Sequence, residues 1–464
     1  MKTLKMALSV MTALCVGCVP AASAQAEPTS SDQPEWHFGF GKQEILPDPS
    51  SSQPLYIAGY NQGLEISGVL DYCQARAVWL DVGGEGILII GIDCVALDSG
   101  TVARIREGLS HLPNCAAINV FATHTHAGPD TLGLWGPIGV NGKNDAYMSA
   151  LVAAAIKAGE EAAAAPKAGK LYFAHVETQD MYRDSRLPHV FDPNLYQLRF
   201  VPDDGSAGIR LYSYGAHAES LRGANSLLSR DFFGQLCDRV TEATGDHTIC
   251  ASGPAGGLIM TKAFVENTTL DAQKNLQITS DKMVEYALSI TPDMERELAP
   301  VIKWNRQVFT IPLDNPVFVT YKFLGILGTR AVPADSATGY GVETELSVLM
   351  LDDLAIAMIP GEPFPELVLG GEYGDTNPQG VNPRPLMEIA RENGISDMFL
   401  ITLCNDEVGY IVAPSDFLLH EEAPYLQRTI DYKNEDHYEE TNSVGPECAR
   451  KIAAAFETAV KNLK

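Results

Sequence analysis

An α/β fold of layered mixed β-sheets flanked by helices, in one large catalytic domain, is what this 464-residue sequence predicts. Three observations carry that expectation. Residues 86–93 (GILIIGID), 101–112 and 116–123 (AAINVFAT) read as strand, helix and strand, the unit from which α/β sheets are built. Two pairs of apolar runs flank turn sequences: residues 195–201 and 209–214 around Pro202-Asp203-Asp204-Gly205, and residues 346–351 and 354–359 around Asp352-Asp353. Both pairs read as hairpins. Finally, no internal repeat and no mid-chain linker divides the chain.

Taken in order, Lys2 and Lys5, the apolar run 6–19 and Ala22-Ser23-Ala24 compose an export signal over residues 1–24. Mature protein then starts at Gln25 and is secreted or periplasmic. Cys15-Val16-Gly17-Cys18 offers a rival, lipoprotein processing with a lipid on Cys18, but Cys15 fits that site poorly. Residues 25–36, polar and rich in Pro and Ser, form a flexible leader, and the folded domain takes residues 37–464. Ser99 or Thr101 is placed to cap the first helix. An Ala-rich helix covers 145–165 and stops at Pro166 and Gly169; another covers 229–244 and stops at Gly245. Residues 249–252 lead a strand into a glycine loop at Gly253, Gly256 and Gly257. Residues 281–290 read as helix, 398–403 as a buried strand and 446–463 as an amphipathic closing helix.

Charge narrows the function. Thirty-three Lys and Arg against 59 Asp and Glu leave a net charge of −26, which repels nucleic acid and anionic lipid. After the signal, no stretch approaches the roughly 20 apolar residues of a transmembrane helix. Of nine cysteines, those beyond the signal are scattered without any C-x-x-C. They read as buried fillers, with one or two disulfides left open.

The sharpest local feature is Thr123-His124-Thr125-His126-Ala127-Gly128-Pro129-Asp130, after the strand 116–123. Alternation along a strand sends His124 and His126 to one side, a geometry suited to a metal. His217 follows strand 209–214, Glu362 follows strand 354–359, and Asn405 to Tyr410 follow strand 398–403. Metal-competent side chains thus recur where α/β sheets place their sites. Asp93 ends its own strand, either to orient an imidazole or to cap a loop.

These segments together resemble the N-terminal catalytic domain of the neutral (alkaline, non-lysosomal) ceramidase family. The likeness rests on IAGY with LDYCQARAVWLD, GID at Gly91 to Asp93, THTHAGPD, AHAESLRGANSLLSRDFFG, IPGEPF, GYIVAPSDF and HYEETNSVGP, in that order. It runs from about Gly39 to the C-terminus. The resemblance implies a zinc-dependent hydrolase of linear amides, with zinc on His124, His217, Glu362 and Tyr410. It makes His126 a neighbour suited to polarise a carbonyl or move a proton, and Tyr438 an active-site tyrosine. Arg186 becomes an active-site arginine, with Arg183 close enough to compete. The substrate class it implies is an N-acyl amide, a ceramide-like lipid or a related N-acylated small molecule. Imidazole and carboxylate donors with an open position make a catalytic rather than structural zinc site.

Two departures stand out. Gly257 and Ile259 occupy the positions of the aspartate and serine in the family's G-D-x-S-P loop, and Leu134 and Trp135 replace small residues. An apolar Ile259 opposite a substrate hydroxyl predicts weak action on long-chain ceramide. Rival readings fare worse. An amidohydrolase barrel would need about eight βα units rather than hairpins, a metallo-β-lactamase would need a histidine soon after His126, and no G-x-S-x-G serine elbow is present. An exported binding protein that kept the fold without turnover remains the non-enzyme alternative. N-terminal sequencing of protein from the native host is expected to begin at Gln25; a lipid-modified Cys18 would overturn the assignment.

Overall fold

Two large sheets set the architecture. The computed structural model describes residues 34–262, 272–373 and 380–464; the expected export signal and residues 25–33 of the expected leader lie outside them, while Trp36, expected to end that leader, is buried and opens a strand. The first sheet has nine strands, ordered His247–Ser252, Ile209–Tyr214, Asn194–Pro202, Lys167–Glu177, Trp36–Glu44, Gln74–Asp81, Gly86–Ile92 and Cys115–Ala122, with Arg296–Leu298 beside Lys167–Glu177. The second runs Ile302–Leu313, Tyr340–Leu351, Leu354–Met358 and Asp397–Ile401, with Ala331–Pro333 also on Tyr340–Leu351. Both predicted hairpins form as antiparallel pairs. Three pairs are parallel: Gly86–Ile92 with Cys115–Ala122, Ile209–Tyr214 with His247–Ser252, and Leu354–Met358 with Asp397–Ile401. Each is joined by a helical crossover, as parallel strands require.

Strand alternation decides the layers. In Gln74–Asp81, Ala75, Ala77 and Trp79 join one apolar cluster with Leu151, Ala155 and Ala158 of the helix Asp145–Ala164. Val78 and Leu80 join another, shared with Leu349, Leu351, Ile356 and Phe399 of the second sheet. The two sheets therefore face each other. Helices Ser99–Gly108 and Asp145–Ala164 cover one end of the first sheet, Asp231–Thr244 and Ala272–Ser289 cover the other, and Cys448–Asn462 backs the second. The Ala-rich helix lies against a strand that offers glycine: a Cβ on Gly39 or Gly41 would stand 1.9 or 2.0 Å from the carbonyl oxygen of Ala162 or Ala158.

Local details differ from the sequence reading. The first helix is capped by Asp98, whose carboxylate accepts from the Thr101 N–H at 2.8 Å. Ser99 and Thr101 already lie inside the first turn, where neither can serve. The helix expected over 281–290 begins earlier, at Ala272. Gly245 ends its helix with a φ of 79°, as its lack of a Cβ allows. No described helix is long and apolar enough to cross a membrane.

The open question of disulfides is answered for the described residues. Cys73, Cys94, Cys115, Cys237, Cys250, Cys404 and Cys448 are all free, and all but Cys115 are buried. Burial pushes the Cys237 thiol up to about 11 and raises those of Cys73, Cys94 and Cys250 as well, so the reactive thiolate is suppressed. Unreduced protein starting at Gln25 is expected to titrate as the seven thiols just named after unfolding in guanidinium, and to react only slowly when native. A lower count in the unfolded state would reveal a disulfide.

Candidate metal centre

The strand Cys115–Ala122 stops short of His124, whose φ is 64°. Strand alternation therefore does not bring His124 and His126 together, contrary to the sequence argument; a left-handed kink does. Beyond it, Thr125 forms a parallel bridge with Ala218, and the His126 N–H donates to the Ala218 carbonyl at 3.0 Å. Segment 124–126 thus lies along segment 217–219. The imidazole centroids of His124 and His126 are 4.7 Å apart, those of His124 and His217 4.7 Å, and those of His126 and His217 5.6 Å. Glu362 Oε2 stands 3.2 Å from His124 Nε2 and 3.0 Å from His217 Nε2, and His126 Nε2 is 3.2 Å from His124 Nε2.

Backbone carbonyls set the proton positions. His124 Nδ1 faces the Val95 oxygen at 2.7 Å, and His217 Nδ1 faces that of Ile259 at 3.0 Å. A carbonyl only accepts, so in each neutral ring Nδ1 carries the proton and Nε2 presents a lone pair to Glu362. Lone pairs and a carboxylate at such distances repel one another unless a positive charge lies among them. Zinc bonds of about 2.0–2.1 Å in a tetrahedron place ligand atoms about 3.3 Å apart, near the separations seen here. Donor chemistry, burial and spacing therefore fit zinc, and the group His124, His126 and His217 could hold a metal. Without one, protons serve. Burial opposes charge on His217, yet the hydrogen bond and charge of Glu362 outweigh it and raise the imidazole to about 9. Burial likewise opposes ionisation of Glu362, but His124 and His217 hold its carboxyl well below the usual range. His126 is shifted the other way, held well below its ordinary value by burial and then by its two imidazole neighbours.

The remaining expected residues gather on the Glu362 side. Glu362 and Tyr410 stand in register in a short parallel pair, and the Glu362 N–H donates to the Gly409 carbonyl at 3.1 Å. The Tyr410 and Tyr438 rings are perpendicular, with centroids 6.2 Å apart. Arg186 lies with its guanidinium carbon 5.4 Å from the Tyr438 centroid and its Nε 2.7 Å from Glu439 Oε1. Arg183, its competitor, is exposed on the strand Tyr182–Asp184.

Other sequence readings change. Among the described residues, Asp93 is engaged by groups other than an imidazole: it accepts from the Gln74 N–H at 3.0 Å and the Thr123 hydroxyl at 3.2 Å, and lies 3.6 Å from Arg76. It orders the strand ends while Val95 orients His124. Asp130 accepts from the N–H groups of Leu132, Gly133 and Trp135, and so folds the loop that carries Leu134 and Trp135. Ile259 is 1% exposed in the apolar cluster of Tyr214, Phe232 and Ala255. The side chain expected to oppose a substrate hydroxyl is packed away instead, and the carbonyl of this residue holds His217. Glu219 went unread; its Oε2 lies 3.6 Å from His126 Nδ1. The available signal was H-x-E at 217–219, spaced like H-x-H at 124–126.

Behind Arg186 lie carboxyls that resist ionisation. Burial, with Asp184 adding to it, raises Glu366 to about 8. Burial and the neighbouring carboxylates raise Asp416 to about 10, and burial raises Glu439 to about 7 despite Arg186. Each binds its proton more tightly folded than unfolded, so its contribution to stability is full below the ordinary carboxyl range and is lost as pH rises through the folded value. Thermal stability is expected to fall between about pH 5 and 8, and Glu366→Gln to flatten that slope. Melting temperatures across this range provide the check; a slope unchanged by the substitution refutes the assignment to Glu366.

No protein-family model matches the chain. In sequence it is similar to the neutral ceramidase of Pseudomonas aeruginosa strain PAO1, 24% identical over 246 residues, which are 49% of this chain and 36% of that protein. The match thus spans about a third of the relative's length. In structure it is similar to the crystal structure of the Pseudomonas aeruginosa neutral ceramidase, with a TM-score of 0.70 at 16% identity over 92% of this chain and 74% of that one. A ceramidase complexed with C2 aligns with a TM-score of 0.68 at 15% identity, over 92% and 75% of the two chains. The resemblance read from the motif blocks is borne out: the chain is similar in sequence to a neutral ceramidase and shares the mixed α/β fold of the two solved structures.

Proposed function

We propose that this chain is an exported zinc-dependent amidase that hydrolyses linear N-acyl amides, ceramide-like lipids or related N-acylated small molecules. Its export signal is residues 1–24, its leader runs from residue 25, and its hydrolase domain extends from the strand that opens at Trp36 to residue 464. The observation that carries the reading is the convergence of His124 Nε2, His217 Nε2 and Glu362 Oε2 within 3.2 Å contacts, two of the rings oriented by backbone carbonyls. Tyr410, in register with Glu362, completes the proposed ligand set. When bound there, zinc supplies Lewis acidity that polarises a carbonyl and makes water acidic enough to attack at neutral pH.

The other side chains do the rest. His126 Nε2 takes the proton of the attacking water and gives it to the amine nitrogen as the C–N bond breaks, while the oxygen goes to the acyl carbon. Tyr438 and Arg186 donate hydrogen bonds to the oxygen that becomes negative. The products are a carboxylic acid and an amine. The rival reading, a binding protein without turnover, draws on the altered loop around Gly257 and Ile259. Zinc content measured beside product identification by mass spectrometry, over a panel of N-acyl amides, separates the two.

Purified protein is expected to hold one zinc per chain, lost in His217→Ala and in Glu362→Gln; unchanged metal in both variants would falsify the site. His126→Ala is expected to keep the zinc and lose roughly 10²-fold in turnover. Loss of the metal in that variant makes His126 a ligand, and near-normal turnover removes it from the chemistry.

A further inference from the structure

We infer that Glu219 is a positioning residue for His126: its carboxylate keeps the proton on His126 Nδ1 and so leaves the Nε2 lone pair turned toward the metal centre, with the Tyr60 hydroxyl fixing the carboxylate. The geometry stands by itself, and the consequence for turnover rests on the amidase reading.

Register supplies the first argument. In the parallel bridge between Thr125 and Ala218, the preceding residues stand beside each other and so do the following ones. His124 is thereby neighbour to His217, and His126 to Glu219. Segment 217–219 is itself tied down, since the Glu219 N–H donates to the His217 carbonyl and the Arg222 N–H donates to that of Glu219, each at 3.0 Å.

Unsatisfied atoms supply the second. His126 Nδ1 and Glu219 Oε1 are both buried without a hydrogen-bond partner, and Glu219 Oε2 lies 3.6 Å from that nitrogen, the two side chains being 7% and 10% exposed. A carboxylate can only accept, so the contact is favourable only with the proton on Nδ1. With His124 Nε2 engaged by the metal, the opposite tautomer would turn an Nε2–H toward that centre, 3.2 Å from His124 Nε2, and set a nitrogen lone pair against a buried anion. The Tyr60 hydroxyl donates a hydrogen bond to Glu219 Oε2, and the Tyr60 ring meets the imidazole edge-on at 5.4 Å. Gly59, whose φ is 103°, lets the backbone run against the ring: a Cβ there would stand 2.5 Å from His126 Cγ. The imidazole is thus confined by Gly59, Tyr60 and Glu219, and its Nε2 faces His124.

Such an arrangement suits a group that takes and returns a proton at Nε2. The imidazolium formed in passing has its Nδ1–H beside a carboxylate oxygen 3.6 Å away, and the ring does not have to turn between uptake and release.

The test uses the zinc-loaded full chain labelled with ¹⁵N-histidine. Long-range ¹H–¹⁵N spectra without substrate are expected to show His126 protonated on Nδ1 in the wild type and shifted toward the Nε2–H form in Glu219→Ala, with zinc retained. In hydrolysis of an N-acyl amide, Glu219→Ala is expected to lose roughly 10–100-fold in kcat, the usual scale for a residue that orients a group at a metal site. KM should stay within about threefold, and Glu219→Asp should restore part of the loss. A wild-type tautomer in Glu219→Ala overturns the proposal, as does a wild-type kcat. Should that variant fail to fold, Glu219→Gln, similar in size but uncharged, carries the test: lowered kcat with zinc retained supports the proposal, and wild-type kcat overturns it. Absence of turnover in the wild type sinks the amidase reading alone, because the tautomer is read without substrate.

Discussion

Two imidazole lone pairs aimed at one carboxylate oxygen are the constraint on which the site depends. His124 and His217 cannot turn away, because each gives its Nδ1 proton to a backbone carbonyl, at 2.7 Å to Val95 and 3.0 Å to Ile259. Glu362 cannot retreat, because its backbone is paired with the segment of Gly409 and Tyr410. Such an arrangement is costly in a buried setting unless a positive charge sits at its centre. The surrounding structure supplies the force that holds it together.

That force comes from the joining of the two sheets at the strand ends. The Thr402 N–H of the second sheet donates to the Ser252 carbonyl of the first at 2.9 Å, and the Ser213 hydroxyl donates to the Leu400 carbonyl at 2.6 Å. Asn405 closes the seam on the other side: its N–H donates to the Val120 carbonyl at 2.7 Å, its side-chain oxygen accepts from the Val120 N–H at 2.9 Å, and its amide reaches Asn119 at 3.0 Å. These bonds bind the ends of Cys115–Ala122, Ile209–Tyr214 and Asp397–Ile401 into one frame, from which His124, His217 and the Tyr410 segment project. A buried seam of satisfied polar groups is specific in a way an apolar contact is not, since a slip of one residue leaves donors unpaired.

How much of this was legible follows from which parts of the chain carry the information. Runs such as GILIIGID and AAINVFAT announce buried strands by composition, and chemistry-bearing side chains at their ends announce a site, so His124, His126, His217 and Glu362 were found from residue type and position. What went unread resides in the backbone or in pairing across the chain. The kink at His124 is a dihedral angle, Val95 and Ile259 act through carbonyls that every residue possesses, and the facing of Glu219 with His126 depends on a bridge between segments about ninety residues apart. Ile259 shows the converse case. Its side chain invited a functional reading, whereas its packing in the apolar cluster leaves only its carbonyl to act.

Arg186 shows how the same fold limits electrostatics on the other side of the site. Its Nε is tied to Glu439 Oε1 at 2.7 Å and its Nη1 donates to the Ser185 carbonyl at 3.0 Å. Asp416 and Glu440 are buried in the same neighbourhood. Whenever Glu439 is ionised, its negative charge beside Nε offsets part of the guanidinium's field. The fixed plane above the Tyr438 ring keeps direction instead: a donor that is always charged, held by its neighbours before any substrate arrives. Lysine, a flexible point charge without a planar fork, would keep the sign of the charge and lose that direction.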